Sequence, residues 1–84
     1  MKKIRCIIIE DEPLAVKVLT NFIKNLPQLE VIATFKDAIS ATQFLQTEII
    51  NLIFLDIHLP KLKGLDFLRT LEDPPICIIT TAYH

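Results

Sequence analysis

Glycine is nearly absent from this chain: Gly64 is the only one in 84 residues. Net charge is nearly absent as well, at −1, while hydrophobic residues make up 51%. A disordered segment needs the reverse balance, so the composition implies a packed globular domain. Near-neutrality also removes any electrostatic case for nucleic-acid or anionic-membrane binding by this segment. Long apolar runs are missing, and no stretch approaches the ~20 residues of a membrane span. The opening MKKIRCIII has the basic start of a signal peptide. Its apolar run is short, however, is cut off by Glu10, and leads to no small-residue cleavage site. A cytoplasmic protein is the expectation. Cysteines are few: Cys6 and Cys77 each sit inside an apolar run, without CxxC spacing or a His/Cys cluster. They read as small buried hydrophobes rather than zinc ligands. The length allows one small domain, residues 1–84, of modest stability.

What is present alternates. IRCIII (4–9) is continuous and β-branched, the pattern of a strand buried on both faces. Pro13 stands where a helix begins. Behind it Leu14, Val18, Leu19, Phe22, Ile23 and Leu26 recur at helical spacing, with Lys17, Asn21, Lys24 and Asn25 between them. That predicts an amphipathic helix stopped by Pro27. LEVIATF (29–35) predicts a second strand, and Asp37 an N-cap for a helix carrying Ala38, Ala41, Phe44 and Leu45. Residues 52–55 predict a third strand ending on Asp56. A short helix through Leu65, Leu68 and Leu71 is broken by Asp73-Pro74-Pro75, and residues 76–80 predict a fourth strand. The order β-α-β-α-β-α-β implies an α/β domain: a parallel sheet covered by helices on both faces, with right-handed crossovers.

The acids fall at strand ends. In open parallel sheets the functional crevice lies outside the carboxyl ends of the strands. The first strand delivers Glu10 and Asp11 there, the third delivers Asp56, and the fourth ends in Thr80 and Thr81. Glu12, beside Pro13, fits a first-turn acid favoured by the helix dipole. On charge pattern alone Glu10 and Asp11 fit that role equally well. Asp56 tips the balance, because an acid between a buried strand and IHLP is hard to place as a cap. If strands one and three are neighbours, three mutually repelling carboxylates converge, and a divalent cation between them relieves the repulsion. Mg²⁺ suits oxygen ligands and few carboxylates. A carboxylate beside it is a competent nucleophile toward a phosphoryl group.

Together IIIEDEPLA (7–15), LIFLDIHLPKLKGLDFL (52–68) and ICIITTAY (76–83) resemble the receiver domain of two-component response regulators. EDEPLA with TTAY is similar to receivers of LytTR-type transcription factors. The resemblance runs over the whole chain. It implies a flavodoxin-like, three-layer αβα fold with strand order 2-1-3-4-5. It implies Asp56 as phosphoacceptor and Glu10 and Asp11 as the acidic pair that holds Mg²⁺. The backbone carbonyl of His58 is implied as a further metal ligand, and Thr81 as the switch hydroxyl. Pro60 and Gly64 match the loop that shapes the next helix. The implied phosphodonor is a histidine kinase, and DNA would be met only through an output domain beyond these residues.

The family pattern continues through a helix, a fifth strand ending in a lysine, and a final helix. No lysine occurs here after Lys63. The chain is therefore expected to be a receiver truncated after its fourth strand, whose exposed edge would favour homo-oligomers. The chain is not expected to be an enzyme in its own right. Two other functions fit the residues. An aspartate-nucleophile phosphatase wants a second acid two residues past Asp56, where His58 stands. A non-catalytic interaction module would carry a vestigial acidic pocket.

Overall fold

A computed structural model of the chain describes residues 3–56 and 75–80. The expected third helix, Pro60, Gly64, His58 and Thr81 lie outside the described residues. Strand β1 (Ile4–Ile9) is followed by helix α1 (Pro13–Lys24), strand β2 (Leu29–Phe35), helix α2 (Ala38–Leu45), strand β3 (Leu52–Asp56) and strand β4 (Ile76–Thr80). The strands form one parallel sheet in the order β2-β1-β3-β4. β1 and β3 are thus central neighbours, and Asp56 is the last residue of β3 rather than the first residue after it.

The period-2 alternation of side chains divides the core between the two faces. Ile7, Ile9, Ile53 and Leu55 pack with Ala38 and Ala41 of α2. Cys6, Ile8, Leu52 and Phe54 pack with Ile23 of α1, supported by Val16 and Leu19. The result is three layers, α1 on one side of the sheet and α2 on the other. Pro13 opens α1, and Asp37 caps α2, its Oδ1 accepting from the Ser40 N–H at 2.8 Å. α1 ends at Lys24, so Leu26 lies in the turn before Pro27.

Two features depart from the sequence reading. The apolar positions of α1 do not share one buried face. Leu14, Val18 and Phe22 are 70%, 66% and 60% exposed, whereas Ile23 is buried. The apolar arc spanned by these residues is wider than the strip of sheet beneath the helix, which accepts only Val16, Leu19 and Ile23. Second, β2 is not regular. Cys6 pairs with Val31 but Ile7 pairs with Ala33, which leaves Ile32 as the extra residue of a bulge.

At the sheet end remote from the acids, Arg5 fastens β1 to the loop before β3. Its Nε donates to the Ile49 carbonyl at 2.9 Å, and its guanidinium meets Glu48 at 3.2 Å. The Arg5 N–H donates to Asn51 Oδ1 at 3.0 Å. Cys6 is buried, and burial pushes its thiol up; Sγ donates to the Glu30 carbonyl at 3.3 Å. Cys77 lies in β4.

Candidate functional site

β1 and β3 run parallel with Ile9 paired to Leu55, so the next residues, Glu10 and Asp56, emerge level with each other at the carboxyl end of the sheet. Alternation from Ile8 and Phe54 turns both toward the α1 side. Asp56 also pairs with Thr80 across β3 and β4, which brings the end of β4 to the same level. Glu10 and Asp56 are only 2% and 4% exposed, and Asp11 beside them is exposed. Carboxylate oxygens of the three residues lie within 4.8 Å of one another. Of the five residues expected at the site, the structure brings together Glu10, Asp11 and Asp56. The other two, His58 and Thr81, lie outside the described residues.

Burial pushes the Glu10 carboxyl up from 4.5 to about 7, and the neighbouring Asp56 and Asp11 push in the same direction. The Glu12 N–H works against them, donating to Glu10 Oε2 at 3.1 Å. Glu12 thus serves the site through its backbone, a role that its side-chain type does not advertise. Its own side chain makes no capping bond to α1.

The donor set fits a hard divalent cation. It offers oxygen ligands only, two of them withdrawn from water and one open to it, as a partly hydrated ion needs. Among the described residues this is the one group of three such ligands. A pocket of about 210 Å³ adjoins it, lined by Glu10, Asp11, Thr34, Phe35, Lys36 and the start of α1. Sequence reasoning did not single out Thr34 or Lys36, because their placement depends on the bulge in β2.

Residues 6–84 match the response regulator receiver domain family. The chain belongs to that family. Its receiver is 37% identical over 84 residues to a protein-glutamate methylesterase/protein-glutamine glutaminase of Nitrosomonas europaea, covering 96% of this chain and 24% of that protein. It is 35% identical over 82 residues to the transcriptional regulatory protein YpdB of Escherichia coli, covering 94% of this chain and 34% of YpdB. The chain thus spans about a quarter to a third of the length of these curated relatives. Among solved structures, the response regulatory domain of mrkE from Klebsiella pneumoniae superposes with a TM-score of 0.83 at 33% identity, covering 94% of this chain and 67% of that one. MaeR bound to beryllium trifluoride superposes at 0.84 with 26% identity, covering 100% and 70%. A receiver implies phosphoacceptor signalling. The methylesterase chemistry belongs to those relatives, of which the receiver match covers a quarter.

Among the described residues no helix is long and apolar enough to cross a membrane.

Proposed function

We propose that this receiver takes a phosphoryl group on Asp56 while Glu10, Asp11 and Asp56 hold Mg²⁺. The observation that carries the reading is the convergence of these carboxylates at the ends of β1 and β3. A carboxylate oxygen of Asp56 attacks phosphorus, the bond from phosphorus to the donor breaks, and the leaving group departs with the electron pair. Aspartyl-phosphate results. When bound, the metal supplies charge neutralisation at the phosphoryl oxygens. Burial keeps Asp56 in place and limits competing water, and the Glu12 N–H orients Glu10.

The finer assignments follow the family motif. The His58 backbone carbonyl completes the metal ligands, and the Thr81 hydroxyl hydrogen-bonds the phosphoryl group. The donor is a histidine kinase. The output is transcriptional, which the name of the similar transcriptional regulatory protein YpdB supports, and of LytTR type, which rests on the EDEPLA and TTAY motifs alone. That the similar MaeR response regulator binds beryllium trifluoride supports a site of this kind for a phosphoryl-sized group. A net charge of −1 assigns no DNA contact to these residues. A cytoplasmic location accompanies this reading. So does self-association along β4, where Ile76 and Ile78 are exposed. Sedimentation over a concentration series reads the latter; a monomer throughout removes it.

The test of the main reading is intact-mass spectrometry after incubation with acetyl phosphate and Mg²⁺. The wild type gains one phosphoryl group and Asp56→Asn gains none. No gain by the wild type at any Mg²⁺ concentration would overturn the reading and leave the acids as a vestigial pocket in an interaction module.

A further inference from the structure

The bulge in β2 decides which side of the sheet receives Lys36. Before it, Leu29 and Val31 pack on the α1 side. After it, Ala33 and Phe35 pack on the α2 side, together with the extra residue Ile32. Alternation from Phe35 therefore carries Lys36 to the α1 side, where Glu10 and Asp56 also emerge. An uninterrupted β2 would send Lys36 to the opposite face. The Glu10 N–H donates to the Phe35 carbonyl at 2.9 Å, which brings the next residue, Lys36, level with the acids. Lys36 lines the small pocket that Glu10 and Asp11 also line. Lys17 and Lys24 on α1, and Lys3 and Arg5 at the start of β1, do not line it. Among the described residues Lys36 makes no ion pair.

Charge gives this placement a consequence. Three ionised carboxylates with one divalent cation leave a net negative site, and a phosphoryl donor is itself an anion. A lysine at the rim offsets that repulsion, as a mobile point charge that needs no fixed contact. We propose that Lys36 is a recruiting cation that draws the anionic phosphoryl donor toward Asp56. The inference rests on the acceptor reading above.

The test compares phosphorylation rates with acetyl phosphate at fixed Mg²⁺ for the wild type, Lys36→Ala, Lys36→Glu and Lys36→Arg. Lys24→Glu, which reverses a charge in the last turn of α1, is the control. At low ionic strength Lys36→Ala should label about two-fold more slowly and Lys36→Glu about five-fold, because an exposed charge acts through water. Both deficits should shrink toward zero at about 1 M salt. Lys36→Arg should restore the rate, and Lys24→Glu should leave it unchanged. Lys36→Glu should also bind Mg²⁺ more tightly than the wild type, the opposite sign from its effect on the donor. A merely structural role would not move the two readouts in opposite directions. A labelling wild type with Lys36→Glu at the same rate, or a deficit insensitive to salt, overturns the role of Lys36 alone. A wild type that does not label overturns the acceptor reading and this inference with it.

Discussion

Glu10 and Asp56 stand level on adjacent parallel strands, one residue beyond the Ile9–Leu55 pair, and both carboxylates are buried. Asp56 so placed helps raise the affinity of the Glu10 carboxyl for a proton, and the two together attract a cation. The fold therefore holds the site in tension when no cation is bound.

Replacing Glu10 by Gln removes the charge while keeping an oxygen that can accept from the Glu12 N–H. At pH 8, where the Glu10 carboxyl is ionised, metal-free Glu10→Gln should be more stable than the wild type by about 1 kcal/mol or more, which in a domain of this size raises Tm by roughly 4–8 °C per kcal/mol. Its Mg²⁺ affinity should fall at least about tenfold, equivalent to about 1.4 kcal/mol of binding energy. Thermal melts with and without Mg²⁺ read both changes. A variant less stable than the wild type without metal would show that Glu10 is a structural acid.

The pH dependence has a definite sign. The Glu10 carboxyl titrates near 7 in the folded protein against 4.5 ordinarily. Between those values the folded state holds a proton that the unfolded state has released. Stability therefore falls as pH rises through this window, and the contribution fully present below about 4.5 is gone above about 7. Urea melts of the metal-free protein should give a lower midpoint at pH 8 than at pH 6. Mg²⁺ must displace the same proton, so its affinity should rise with pH until about 7 and then level off. A metal-free midpoint that climbs from pH 6 to 8 would contradict the assignment.

The core makes a plainer prediction. Ile53 is fully buried in central β3, between Ile7 of β1 and Cys77 of β4 in the ladder. Ile53→Ala should cost about 2–5 kcal/mol, a large part of the stability of so small a domain. Ile49→Ala, at a side chain 78% exposed, should change stability by about 0.5 kcal/mol or less. Circular dichroism during denaturation reads both. Similar midpoints for the two variants would mean that β3 is not the centre of the sheet.

Much of this architecture is written locally. The Ile-rich run of β1 is apolar on successive residues because both its faces are covered, and Pro13 and Asp37 start their helices through backbone geometry and a side-chain cap. The acids were legible because each closes a buried strand. What the sequence does not carry is pairing. The resemblance implies that strands one and three are neighbours, but the register that sets Ile9 opposite Leu55 is defined only by the paired strands. The bulge at Ile32 was invisible in LEVIATF, since an extra residue is defined only against a partner strand, and with it went the position of Lys36. The Arg5 contacts span 43 to 46 residues, a separation that no local pattern encodes. On α1, spacing identified a helix but not how much of its apolar arc the sheet would cover, and Leu14, Val18 and Phe22 came out exposed.

The cradle itself is tested most directly by calorimetric titration of Mg²⁺ into the wild type, Glu10→Gln, Asp11→Asn and Asp56→Asn at pH 8. Shared ligation by the three carboxylates predicts one ion per chain in the wild type, with affinity weakened at least about tenfold by each single substitution. Wild-type affinity retained in all three variants, or no binding by the wild type, would contradict it.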